Sequence, residues 1–275
     1  MLNDITLGQY FTGDSLLHKL DPRTKLITSF VFVIAVFCAR GILGLSLLML
    51  ASLLLVFFSK ISFKVVLKGL KPIVMVLLFT MVLNIFLTKS SAEEPIFKFY
   101  FLTVYMDGLW RAFYMVLRVI VLIIGSSVLI SYTTSPIMLT DAIETLFGPL
   151  KKIKIPVHEF AMMMSIALRF IPTLIEETDK IMNAQKARGA DFSNGSIIKR
   201  AKALVPILIP LFVSSFKRAE DLAMAMECRC YHGGEGRTRL IKLEFHTRDL
   251  LFTLVFALLI CSIFVLNKIP FGYML

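Results

Sequence analysis

Five stretches of the chain run nearly free of charge: residues 24–40, 42–58, 70–88, 109–131 and 249–267. A helix that crosses a bilayer needs about 20 mostly apolar residues, so each stretch predicts a transmembrane helix. Between the fourth and the fifth the pattern changes to apolar positions at helical spacing against a polar face. Thr140 to Leu150 forms a short amphipathic helix closed by Gly148 and Pro149. From Val157 to Ala187 a much longer one sets Arg169, Thr173, Glu176, Lys180, Asn183 and Ala187 on one face. Phe160, Met163, Ala167, Ile171, Leu174 and Ile181 lie opposite. At 1.5 Å per residue this helix is about 45 Å long, with a bend expected at Pro172 and a left-handed cap at Gly189.

A second long helix is expected from Ser196 to Cys228, after Ser193, Asn194 and Gly195. Its middle, Ala203 to Phe216, is apolar all round but short, and it carries Pro206 and Pro210. A re-entrant or interfacial position fits this segment better than a full span. The predicted fold is therefore an all-α integral membrane protein with about five transmembrane helices and a module of three amphipathic helices, two of them long.

Composition supports this reading. Of the 275 residues 57% are hydrophobic and mean hydropathy is +0.79, well above an ordinary soluble domain. Lys and Arg exceed Asp and Glu by 30 to 19, a net charge of +11. In a chain this apolar such an excess points to anionic headgroups or acidic partner surfaces rather than nucleic acid. Cys38, Cys228, Cys230 and Cys261 do not form the framework of a disulfide-rich secreted fold and are expected as free thiols. Residues 1–20 are mixed in polarity, and no cleavable signal peptide is expected.

The cations give the orientation, because Lys and Arg in short loops favour the cytoplasm. Lys19, Arg23 and Lys25 precede the first span, and Lys60, Lys64, Lys68 and Lys71 lie between the second and third. The stretch from Lys89 to Gly108 carries Glu93, Glu94 and Asp107 and reads as outside. The amino terminus is thus expected in the cytoplasm and the carboxyl terminus outside. The chain divides into a cytoplasmic segment 1–23, four spans in 24–132, a cytoplasmic module in 133–248 and a last span in 249–275. The module, with helices at about 140–150, 157–188 and 196–229, holds 17 Lys or Arg.

Both long helices end alike: Ala187-Arg188-Gly189 and Cys228-Arg229-Cys230, the arginines 41 positions apart. Small neighbours let another surface approach closely, while a guanidinium offers a planar fork of donors to carboxylates or carbonyls. One arginine in a last turn merely complements the free carbonyls there; its duplication on paired amphipathic helices points to docking. Ala39-Arg40-Gly41 repeats the tripeptide between two spans, on the outer side, so placement rather than spelling carries the argument.

Together with Gly8 to Ser15 (Gly-Gln-Tyr-Phe-Thr-Gly-Asp-Ser) and Leu17 to Lys25 (Leu-His-Lys-Leu-Asp-Pro-Arg-Thr-Lys), these ends make the chain resemble the transmembrane T component of energy-coupling factor transporters. Members of that family serve uptake of vitamins and other micronutrients across prokaryotic cell membranes. The resemblance implies that the long helices cross as a coupling module and that Arg188 and Arg229 dock into two ABC-type ATPases. Ala187, Gly189, Cys228 and Cys230 would flank those contacts. It also implies one or more substrate-binding S components seated on an apolar surface, for which Met163, Met164, Ile171, Leu174, Ile207 and Leu211 are the candidates. ATP and magnesium would act in the partner ATPases, with no cofactor bound by this chain. The chain departs from the family's usual Ala-Arg-Gly at the second end, where cysteines stand at 228 and 230.

The remaining chemistry is sparse. No phosphate-binding Gly-x-x-x-x-Gly-Lys-Ser/Thr loop occurs, nor any Gly-Lys pair, so energy must come from another chain. Met162, Met163, Met164, Met182, Met224 and Met226 suit a surface that accepts different partners or, equally, gap filling between helices. Arg118 sits deep in the fourth span, as a functional candidate or a side chain reaching for the interface. Gly125-Ser126-Ser127 reads as close packing within a span. Cys228, Cys230 and His232 lack the spacing of a structural zinc site. The alternatives are an intramembrane enzyme, with Arg118, Asn84 and Glu159 lining a cleft, and a self-sufficient secondary carrier. The first would need convergent catalytic side chains in the spans and the second broken helices at mid-membrane.

Overall fold

A computed structural model describes residues 10–87, 97–99, 102–190, 192, 196–233 and 243–268. Helices α1 (Pro22–Cys38), α2 (Ile42–Ser59), α3 (Phe63–Leu87) and α4 (Met106–Ser126) come first, and α4 continues as a π-helical turn over Ser127–Tyr132. Then follow α5 (Pro136–Leu146), a 3-10 turn over Gly148–Ile153, α6 (Val157–Ala187), α7 (Ile197–Cys228) and α8 (Thr247–Leu266). The exception to an all-helical chain is a short antiparallel pair, β1 (Phe97–Phe99) and β2 (Leu102–Val104), with Lys98 opposite Thr103. Residues 88–96, within the segment expected outside, lie beyond the described residues.

Among the described residues five helical segments are long and apolar enough to cross a membrane: α2, α3, α4 with its π turn, α6 and α8. Mean hydropathy is 2.0–2.7 for four of them and 1.2 for α6. This set differs from the expected one. Helix α1, 17 residues long, sits at the short limit of a span, whereas α6 qualifies through its Met- and Ile-rich first half. Helix α3 begins at Phe63, seven residues before the expected span. Lys64, Lys68 and Lys71, counted as loop charges, fall at helical spacing on its first turns, and the helix runs on through Pro72.

Contacts divide the chain into two compact units. The first comprises residues 7–142 and 242–275 and contains α1–α4 and α8; the second contains α6 and α7. In the first unit α1, α2, α4 and α8 bury Phe32, Val36, Leu45, Leu48, Val121, Leu129 and Ile263. Gly125 makes the closest approach possible: a Cβ there would stand 2.2 Å from the Phe32 ring, which explains the small residues expected to pack at this point.

Polar groups lock this unit at both ends of α1. Asp21 caps its start by accepting from the Arg23 amide at 2.8 Å. The Asp21 amide in turn donates to Asp249 on α8 at 2.7 Å, across 228 positions of sequence. Asp249 is 1% exposed and also accepts from the His246 amide, closing a capping box. Lys25, counted in the sequence among the cytoplasmic cations before the first span, is 2% exposed and donates to the Thr133 carbonyl at 2.9 Å. At the other end, the Ala39 carbonyl accepts from Tyr114 and, at 2.8 Å, from Arg118, while Asn267 donates to the Cys38 carbonyl at 2.8 Å. These carbonyls belong to the last turn of α1, which has no helical donors for them. Arg118, packed 4.7 Å over the Tyr114 ring, thus caps the end of α1.

Candidate functional site

The candidate site consists of the ends of α6 and α7. Helix α6 starts at the expected Val157 and runs unbroken through Pro172; α7 starts one residue after Ser196, whose hydroxyl accepts from the Lys199 amide. Both helices stop by the same device. In α6 the Gly189 amide bonds the Lys186 carbonyl at 2.9 Å and the Ala190 amide bonds the Gln185 carbonyl at 3.0 Å. In α7 the Cys230 amide bonds the Glu227 carbonyl at 2.8 Å and the Tyr231 amide bonds the Met226 carbonyl at 3.1 Å. Each is a Schellman motif, in which a left-handed residue turns the chain back over the last carbonyls. Arg188 and Arg229 are the C-cap residues, at φ −86° and −93°, so the two guanidiniums leave their helices from equivalent positions. Both are exposed, and neither has a hydrogen-bond or ion-pair partner among the described residues.

Left-handed geometry suits Gly189, at φ +87°, but Cys230 adopts it too, at φ +53°. The turn at the second end therefore forms without glycine, against the small cost of a Cβ in this region. The third copy behaves differently. Gly41 is extended, at φ −112°, and the Arg40 amide bonds Asn267, so Ala39-Arg40-Gly41 shares the spelling and not the turn.

Away from their ends α6 and α7 are tied by side chains. Arg218 of α7 donates to Glu177 of α6 at 2.8 Å, and the Ser214 hydroxyl donates to the same carboxylate. Glu177 and Arg218 are also 41 positions apart, the separation of Arg188 and Arg229. The tie thus lies eleven residues, about 16 Å of helix, before each arginine. The apolar face of α6 is half-buried at Ile171, Leu174 and Ile181 and exposed at Phe160, Met163 and Met164. On α7, Leu211 is half-buried and Ile207 is 3% exposed. Of the six residues expected under an S component, Met163 and Met164 present surface to a partner and Ile207 turns inward.

The first half of the module is held by His158, whose Nδ1 meets Glu144 of α5 at 2.8 Å. His232 donates from Nδ1 to the Cys230 carbonyl at 2.8 Å, which directs that nitrogen away from any Cys228–Cys230 ligand set. All four cysteines are free thiols. Two of the three side chains considered for an intramembrane cleft are engaged elsewhere: the Asn84 amide bonds the Thr80 carbonyl one turn back, and Arg118 caps α1; for Glu159 no such bond is seen among the described residues.

Comparison with known proteins now decides the family. The family model described as cobalt transport protein (CbiQ) matches residues 13–240. A protein of Clostridium kluyveri named energy-coupling factor transporter transmembrane protein is 53% identical over 272 residues, covering 99% of this chain and all of its own. The chain belongs to this family. Relatives of the same name from Bacillus subtilis (52% identical, 90% of this chain and 93% of the relative) and Lactococcus lactis (47%, 95% and 97%) match over nearly their full lengths. As a member of the family, the chain is the transmembrane component of an energy-coupling factor transporter, multi-pass in the membrane. The motifs at Leu17–Lys25 and the two helix ends, on which the resemblance rested, lie within the matched region. The Glu177–Arg218 tie escaped the reading of the sequence, although two opposite charges at the spacing of the arginines were a signal for it.

Proposed function

We propose that this chain is the energy-coupling subunit of a transporter in which two cytosolic ABC-type ATPases dock at Arg188 and Arg229. A separate membrane S component binds the vitamin or other micronutrient. The observation that carries this reading is the pair of matched helix ends, each presenting an exposed arginine at the same distance from the tie between the helices. ATP and magnesium act in the ATPases, and this chain contributes no catalytic group. ATP-driven approach or separation of the ATPases moves the two ends, and the tied helices pass that motion to the apolar surface that includes Met163 and Met164.

Docking requires both ends in the cytoplasm, and charge supports that placement. With α1–α4 and α8 as the spans, the amino terminus and residues 133–248 face the cytoplasm and the carboxyl terminus faces out. Were α6 also to cross, residues 186–248 would lie outside with twelve Lys or Arg, against the preference of such charges for the inside.

Removing one partner of a buried, hydrogen-bonded charge pair costs about 2–5 kcal/mol, so Arg188→Ala and Arg229→Ala each weaken ATPase association by at least about thirtyfold. Co-purification of the ATPases with the tagged chain, and uptake into proteoliposomes, measure this. Wild-type levels of both in both variants would refute the docking reading.

A further inference from the structure

The two helix ends share one backbone geometry and differ in charge. Lys186 and Glu227 occupy the same place in their motifs: each carbonyl accepts the amide of the left-handed residue three positions on, at 2.9 and 2.8 Å. Both side chains are exposed, two residues before the arginine. The last turn of α6 therefore offers Lys186 beside Arg188, and that of α7 offers Glu227 beside Arg229. A cation suits the partial negative charge at a helix carboxyl end and a carboxylate opposes it. Glycine suits the left-handed position, and cysteine fits it less well. By both criteria the end of α6 is locally consistent and the end of α7 is not. Departures of this kind concentrate at positions shaped by function rather than by folding.

Opposite charge at equivalent positions also extends inward. Counted at the same 41-residue offset, Glu159 faces Arg200 in the repeat, Glu176 faces Lys217, Glu177 faces Arg218 and Lys180 faces Asp221. Asp179 and Glu220 are an acidic match. Of the opposite-charge positions, 186 and 227 alone lie in the last turn, within reach of a protein that holds the arginine.

We propose that the charge beside each arginine, positive at Lys186 and negative at Glu227, selects which of the two ATPases each end accepts. The end of α6 fits a docking groove with a carboxylate opposite residue 186. The end of α7 fits one with a lysine or arginine opposite residue 227. The arginines then supply the common grip and their neighbours the choice, because unlike charges across an interface attract the right partner and like charges reject the wrong one. This inference rests on the docking reading above.

Site-specific cross-linking in the assembled complex tests it. Variants in which Ala187→Cys or the native Cys228 is the sole thiol of this chain are alkylated with a maleimide that carries a benzophenone, the assembled complex is irradiated so that the ketone inserts into a C–H bond of the neighbouring protein, and the captured ATPase is identified by mass spectrometry. Positions 187 and 228 are expected to capture different ATPases, each with a preference of about tenfold or more at low salt. The double variant Lys186→Glu with Glu227→Lys should abolish or invert that preference. Neutral Lys186→Met with Glu227→Met should flatten it while leaving the amount of co-purified ATPase within about twofold, since the arginine grip remains. Equal capture of both ATPases at each end of the wild type, or a preference unchanged by the charge swap, would overturn the proposal. Capture of neither ATPase at either end would instead count against docking itself.

Discussion

The unit containing α1–α4 and α8 and the pair α6–α7 are built on opposite plans. In the first, buried aromatic and aliphatic side chains fill the space between helices, and Asp21, Lys25, Tyr114, Arg118 and Asp249 are bonded inside it. In the second, Ala161 and Ile207 are the buried apolar side chains among the described residues of both helices, and the tie at Glu177 is partly open to solvent. One region ties these charged and polar groups to its own backbone. The other ends in exposed cations, the arrangement that the proposed function requires of a part that passes force between other proteins.

Substitutions that break each plan should therefore fail in different ways. The largest effect is expected at Asp249. Asp249→Ala leaves the buried Asp21 amide without its acceptor, at a cost of about 1–3 kcal/mol, and removes the cap from the exposed His246 amide, which water can replace. Thermal unfolding in detergent should show a marked loss of stability, and a loss below 1 kcal/mol would mean that water replaces the carboxylate. A smaller effect is expected at the tie. Breaking a partly exposed ion pair costs about 1 kcal/mol, so Glu177→Arg should barely lower the melting temperature. It should nevertheless reduce uptake per ATP hydrolysed, and Glu177→Arg with Arg218→Glu should restore coupling; failure of the double variant to do so would show that charge pairing is not what holds the crossing. The smallest effect is a gain. Cys230→Gly relieves a Cβ at φ +53° and should stabilise the end of α7 by about 0.5–1 kcal/mol, read as slower amide exchange of Tyr231. Unchanged exchange would show that the turn carries no strain.

Much of this contrast was legible in the hydropathy pattern. The five helices predicted as spans lie within a few residues of their places except at the start of α3, where lysines at helical spacing were counted as loop charges, although by length and composition α6 qualifies as a span and α1 does not. Helix α6 has its predicted limits because its alternating faces, the Gly189 cap and the absence of competing turns agree. Less legible were the destinations of polar side chains. Lys25 and Arg118 look in sequence like a cytoplasmic loop cation and an intramembrane charge, and each is instead bonded to a backbone carbonyl supplied by a distant segment. No local period encodes such a contact, and the bond from Asp21 to Asp249 spans nearly the whole chain. The matched turns at Arg188 and Arg229 were half visible: the tripeptides could be aligned, but that Cys230 takes the left-handed conformation of Gly189 required the backbone.

The central claim is that ATP moves the two arginine-bearing ends relative to one another. Oxime-linked spin labels on a genetically encoded ketone amino acid at positions 183 and 224, both exposed and 41 positions apart, would report the distance between the ends in the reconstituted transporter and leave the free thiols Cys228 and Cys230 beside Arg229 unlabelled. The account predicts a distance distribution that shifts when a non-hydrolysable ATP analogue binds and returns when it is removed. An identical distribution in both states, with both ATPases bound and nucleotide occupied, would contradict it.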